Sequence, residues 1–341
     1  MRLRSATLAS PAKEQTMTML RTALLTAAML TNSASAEAPI NGPANDGWEL
    51  VWSDEFSGTA LDRKRWKPEK SCWGGGNEER QCYTARAENI RVAHGYLHLI
   101  ARRERFTGPD RPPEIASMPN PNRTQPFTSG KVRTRGIASW RYGRIEFRAK
   151  PPKGQGTWPA VWMMPADDRY GGWPLSGEID ILEGINLGAA CLVCQGPRGE
   201  NRMISALHFG SPRPRNEMVV TRVALPDRAL PSDEFHVWRL DWGKGLMRFY
   251  LDERLYWEVT AAQWRTGSPK AKGNPAAPFD QPFYIMANLA IGGKLAEENN
   301  DLGIANGITP AEFLIDWIRI YQCSADRDTG LACMQKQPGG D

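Results

Sequence analysis

His236-Val237-Trp238-Arg239-Leu240-Asp241-Trp242 sets His236, Trp238, Leu240 and Trp242 on one alternation and Val237, Arg239 and Asp241 on the other. A period of two is the spacing of a strand that buries one face. The same alternation appears upstream, where Ile145, Phe147 and Ala149 interleave with Arg144, Glu146 and Arg148. Downstream, Phe313, Ile315, Trp317 and Ile320 belong to another β-branched and aromatic run. Met247 to Leu251 and Leu255 to Val259 flank Asp252-Glu253-Arg254 and predict a hairpin. Gly, Pro and Asp turns separate these segments, and no long amphipathic helix or internal repeat interrupts them. Many short strands over this length predict an all-β fold, a sandwich of two antiparallel sheets.

The ends of the chain read differently. Arg21, the apolar run Thr22 to Leu30 and Ala34-Ser35-Ala36 have the charge, apolar core and small-residue site of an export signal. Residues 1–36 are therefore expected to be removed, leaving a secreted or periplasmic protein. Met17 or Met19 is an alternative start. Residues 37–47 form a Pro/Gly/Asn linker, 48–323 the folded domain, and 324–341 a polar, loosely ordered tail. Pro109 to Pro126 predicts a long surface loop.

The whole chain carries a net charge of +5. Residues 1–36 hold Arg2, Arg4, Lys13 and Arg21 against Glu14, so their loss leaves +2. That balance gives no strong field for nucleic acid or an anionic membrane, and it suits an uncharged substrate. Six cysteines are present. Export permits disulfides, and local pairs 72–82, 191–194 and 323–333 are the expectation. Cys191-Leu-Val-Cys194 has neither the second pair of a zinc site nor the strand–helix setting of a redox motif.

Chemistry concentrates in Trp173-Pro-Leu-Ser-Gly-Glu178-Ile-Asp180-Ile-Leu-Glu183. In a strand, Glu178 and Asp180 share a face. Glu183 lies at an odd offset and would point the other way. A β-bulge at Ile181 or Leu182 resets the alternation and returns it to the same side. Glu178 and Glu183 then stand roughly 13 Å apart along the strand, so their side chains must lean together. Crowded carboxyls raise at least one pKa. A retaining glycosidase needs that combination, with one ionised and one protonated carboxyl about 5–5.5 Å apart. Asp180, between them, is expected to hydrogen-bond and tune one Glu. Trp158, Trp162 and Trp173 nearby supply flat apolar faces on which sugar rings stack.

Further stretches occur in a fixed order: Val51-Trp-Ser-Asp-Glu-Phe-Ser57, Gly75-Gly-Asn77-Glu-Glu-Arg80-Gln, Thr128-Ser-Gly-Lys131 and Tyr142-Gly-Arg-Ile-Glu146. They continue with Pro152-Lys-Gly-Gln-Gly-Thr-Trp158-Pro-Ala-Val-Trp162-Met-Met-Pro165, Phe279-Asp-Gln-Pro-Phe-Tyr284, Asn288-Leu-Ala-Ile-Gly-Gly293 and Ile315-Asp316-Trp-Ile-Arg-Ile-Tyr321. From about Trp48 to Cys323 the chain resembles glycoside hydrolase family 16 in its laminarinase-like branch. The resemblance implies a β-jelly-roll with a concave glycan cleft and retaining endo-hydrolysis of β-1,3-glucan. It implies Glu178 as nucleophile, Glu183 as acid/base and Asp180 as their assistant. It further implies that Asn77, Arg80, Trp158, Trp162, Trp173 and His208 line the cleft. A structural calcium is implied at Asp316, with backbone oxygens near Glu55 and Gly95. The expected partner is the polysaccharide alone, bound by a monomer. Relatives of other specificity, among them mixed-linkage glucanases, agarases, carrageenases, transglycosylases and non-catalytic glucan binders, share the scaffold.

The chain departs from that pattern after Gly293. Lys294-Leu-Ala-Glu-Glu-Asn-Asn-Asp301 stands where laminarinases often carry a Trp. The loops Pro109–Pro126 and Asn186–Arg202 look enlarged.

Overall fold

The computed structural model describes residues 47–115, 118–191, 198–298 and 300–335. The expected signal segment, nearly all of the linker and Cys194 lie outside them. Two sheets face each other. The seven-stranded sheet runs β12 (Asn216–Ala224), β11 (Arg202–Gly210), β10 (Glu178–Gly184), β9 (Thr157–Pro165), β16 (Phe283–Ile291), β7 (Lys131–Arg133) and β2 (Lys67–Pro68). The ten-stranded sheet runs β15 (Arg254–Thr260), β14 (Leu246–Leu251), β13 (His236–Gly243), β8 (Gly143–Lys150), β17 (Ala311–Cys323), β5 (Tyr96–Pro109), β6 (Asn122–Ser129) and β3 (Gln81–Tyr83). In that sheet β1 (Trp48–Asp54) also pairs with β17, and β4 (Ile90–Ala93) with β5.

The alternation seen in the sequence sets the core. Trp238, Leu240 and Trp242 of β13, Ile145, Phe147 and Ala149 of β8, and Phe283, Ile285, Ala287 and Leu289 of β16 are all buried between the sheets. A bulge between Ile315 and Trp317 shifts the phase of β17. As a result Ile318 and Ile320 join Phe313 and Ile315 in the core, while Trp317 turns outward beneath the Arg319 guanidinium, 4.2 Å from its ring.

The sandwich is antiparallel as expected, except that β3 pairs with β6 in parallel. The hairpin forms, and its turn is Asp252–Glu253, both with positive φ (47° and 66°). Asp252 steadies that turn by accepting a hydrogen bond from the Val237 amide at 2.8 Å. The expected long loop is shorter than its sequence suggested, because Asn122 onward is already paired in β6. Of the expected tail, residues 324–335 are described, and they are tied down through Cys333. Cys333 is disulfide-bonded to Cys323, α2 (Leu331–Met334) buries Met334, and Arg248 donates to the Met334 carbonyl at 2.7 Å. Cys72 and Cys82 are also bonded.

Candidate active site

The register of β10 places its carboxyls. Against β9, Asp180 opposes Trp162 and Leu182 opposes Val161, leaving Ile181 as the extra residue. Ile181 and Leu182 are both fully buried in the core. The Ser205 hydroxyl donates to the Ile181 carbonyl at 2.7 Å, satisfying an acceptor that the interrupted ladder would leave stranded. Glu178, Asp180 and Glu183 consequently share the sheet face that points away from the core. Directly opposed residues extend that face in rows across the strands: Glu178–His208, and Met286–Trp162–Asp180–Ala206.

Each glutamate is held by an indole. Trp173 Nε1 donates to Glu178 Oε2 at 2.6 Å, and Trp158 Nε1 donates to Glu183 Oε1 at 2.8 Å. Asp180 is 3% exposed, and His208 Nε2 lies 3.2 Å from its Oδ2. Glu178, Asp180 and His208 bring ligand-type atoms within 4.8 Å of one another. The sequence suggested that Asp180 would bond a glutamate; in the structure its carboxylate has His208 Nε2 at 3.2 Å.

These contacts divide the protonation states. Burial pushes Glu183 up to about 7, and the Glu178 charge adds to this, against the opposing Trp158 hydrogen bond. Burial, followed by the charges of Glu178 and Glu183, raises Asp180 well above the usual carboxylate range. Burial lowers His208, but its Asp180 contact and the neighbouring carboxylates outweigh that and bring it to about 9. Glu183 is therefore fitted to hold and release a proton near neutral pH, beside Glu178, which accepts the Trp173 indole.

The aromatic residues take different positions. Trp173 is half-exposed, with its ring centroid 6.1 Å from that of His208 and the Arg213 guanidinium 5.5 Å from its ring. Trp162 is also half-exposed. Its N–H donates to Asn288 Oδ1 at 2.7 Å, and Lys131 Nζ sits 4.8 Å from its ring. Trp158 is only 6% exposed and packs in a small cluster with Ile185, Ile204, Ala290 and Ala296. Its ring is covered, so it supports Glu183 rather than offering a stacking surface.

Arg80 and Asn77 meet the segment that departed from the expected pattern. Lys294 to Glu298 fold into α1 (Gly293–Glu298). Glu297 of that helix takes the Arg80 guanidinium through contacts of 2.6 and 3.3 Å, and the Lys294 amide donates to the Asn77 carbonyl at 2.8 Å. Ala296 packs in the Trp158 cluster. Where a Trp was expected, a short helix buttresses the site.

The residues suggested for calcium sit on and beside β17, an interior strand between β8 and β5. Leu97 opposes Ile315, Gly95 makes the turn between β4 and β5, and Glu55 follows β1, whose Asp54 opposes Ile318. A carboxylate together with backbone carbonyls is a suitable oxygen donor set for calcium. In the structure the Asp316 carboxylate is engaged by Arg148, and that of Glu55 by Arg319 at 2.8 and 3.0 Å.

Sequence reasoning assigned no role to Ser205, Asn288, Lys131 or Glu79. Asn288 and Lys131 lie inside recognised stretches, but only the strand register shows them beside Trp162. Glu79 is buried, hydrogen-bonded by Gln81 at 2.6 Å, and adds negative charge near Glu183.

Comparison with known proteins agrees with this geometry. Residues 79–319 match the model for glycosyl hydrolases family 16. The chain is 35% identical over 288 residues to glucan endo-1,3-beta-glucosidase A1 of Niallia circulans, covering 82% of this chain and 39% of that protein. It is 34% identical over 310 residues to a beta-glucanase of Rhodothermus marinus, covering 89% of this chain and 93% of that one. The laminarinase structure from Rhodothermus marinus superposes with a TM-score of 0.61 at 32% identity, over 80% of this chain and 97% of that one. With these carboxyls on this sandwich, the chain belongs to glycosyl hydrolase family 16 and is a glycoside hydrolase.

Proposed function

We propose that the protein is a secreted, retaining endo-glucanase that cleaves internal β-1,3-glucosidic bonds of laminarin-type glucan. The observation that carries the chemistry is the β10 bulge, which delivers Glu178 and Glu183 to one face, each gripped by its own indole. The names of the similar proteins support the linkage.

Glu178 attacks the anomeric carbon while Glu183 gives its proton to the departing glycosidic oxygen. The C–O bond to the leaving sugar breaks, and a glycosyl ester forms on Glu178. Glu183, now a carboxylate, removes a proton from water, whose oxygen displaces Glu178 with net retention. Trp173 keeps the Glu178 carboxylate aimed, and His208, 3.2 Å from Asp180, offsets the negative charge gathered there. Trp162 and Trp173 offer ring faces to the sugars.

The proposal includes a structural calcium at Asp316, Glu55 and Gly95, remote from the chemistry. Binding would require Asp316 to exchange Arg148 for the ion.

Product analysis tests the function. Purified protein is incubated separately with laminarin, mixed-linkage β-glucan, agarose and carrageenan, with proton NMR following the first anomer formed. Short β-anomeric oligosaccharides from laminarin are expected. Preferential release from another polymer would overturn the substrate, and initial α-anomer would overturn retention. Binding to laminarin without turnover would instead make the chain a glucan-binding protein.

A further inference from the structure

β12 carries apolar side chains on both of its faces. Val219 and Val223 pack against the core. Met218 and Val220 point the other way, 58% and 42% exposed. The sheet register fixes where these open side chains stand. Met218 opposes His208, which opposes Glu178, and Val220 opposes Ala206, which opposes Asp180. Directly opposed residues share a face, and neighbouring strands lie about 4.8 Å apart. Met218 and Val220 therefore continue the catalytic rows about 10 Å beyond β10, on the side opposite Trp162. Arg222, two residues farther along the same face, is exposed and adds hydrogen-bond donors.

We propose that Met218 and Val220 form an apolar platform for the glucan chain on the β12 side of the bond being cleaved, with Arg222 reaching its hydroxyls. This deepens the glucanase reading of the site and rests on it. A pyranose ring presents a C–H face that gains from apolar contact and hydroxyls that need donors and acceptors. An apolar pair next to a guanidinium matches both needs. Continuity with the catalytic rows argues for the substrate as occupant. The other candidate is a second copy of the chain, since β12 is an edge strand.

The test uses β-1,3-linked gluco-oligosaccharides of increasing length. Wild type is compared with Met218→Ser/Val220→Ser and with Val220→Trp, after melting temperatures establish that both variants fold. The double variant is expected to lose about tenfold of the advantage in kcat/KM of long over short substrates, in KM rather than kcat. Val220→Trp is expected to lower KM for the long ones, because a larger flat ring widens the platform. An unchanged length profile in both variants overturns the proposal. So does a change confined to the oligomeric state measured by sedimentation, which would assign the patch to a second copy. Failure of wild type to cleave any of these oligosaccharides would instead overturn the glucanase reading beneath it.

Discussion

The indole N–H of Trp173 donates to Glu178 at 2.6 Å, fixing the carboxylate from a loop five residues upstream of it. Trp173→Phe keeps an aromatic ring and removes only that donor. Loss of a charge-assisted hydrogen bond of about 1.5–3 kcal/mol predicts a fall in kcat of roughly 10- to 100-fold. Steady-state kinetics on laminarin checks this. A variant with raised KM and normal kcat would make Trp173 a binding residue only.

Glu183 predicts the alkaline limit of activity. It must carry a proton to release the leaving group, and burial holds its pKa near 7. kcat/KM should fall as pH rises through about 7. Trp158 donates to the charged form, so Trp158→Phe should raise the pKa and move the alkaline limb to higher pH. A shift to lower pH would contradict the assigned donor.

The same group leaves a mark on stability. Folding raises Glu183 from 4.5 to about 7, so the folded state holds the proton more tightly. This contribution is complete below about 4.5 and is lost as pH rises through about 7. Glu183→Gln removes the ionising group. Its Tm should exceed that of wild type at pH 8, and the difference should vanish at pH 4. Equal differences at both pH values would show that Glu183 is not responsible.

Ser205 supports the bulge. Ser205→Ala strands the Ile181 carbonyl, a loss of about 1–3 kcal/mol in urea unfolding. If the hydroxyl also holds Glu183 in register, kcat should fall together with stability.

Much of this site was legible in the sequence because a strand has a strict period. The odd offset of Glu183 from Glu178 required one extra residue, and the register contains it at Ile181. The alternations around Phe147 and Trp238 separated the inner from the outer face of the ten-stranded sheet for the same reason. Partners separated by hundreds of residues left no local signal. Nothing in Lys294 to Glu298 announces that Glu297 would take Arg80, and Trp158 resembles Trp162 in sequence although only the latter keeps an open face. The bulge at Asp316 likewise turned Trp317 out of the core against its neighbours' pattern. Asp180 depended on His208, which reaches it through the β10–β11 pairing.

The calcium proposal has a readout independent of catalysis. Added calcium should raise Tm and a chelator should lower it. Asp316→Ala should abolish that difference. A Tm insensitive to both would leave Asp316 as the Arg148 partner seen in the structure.

The most direct measurement is to trap the covalent intermediate. Wild-type protein would be treated with a 2-deoxy-2-fluoro β-1,3-linked glucosyl fluoride and mapped by peptide mass spectrometry. A single glycosyl adduct on Glu178, absent from Glu178→Ser, is the expected result. An adduct on Asp180 or Glu183, in protein that turns over laminarin, would contradict the assignment of the nucleophile.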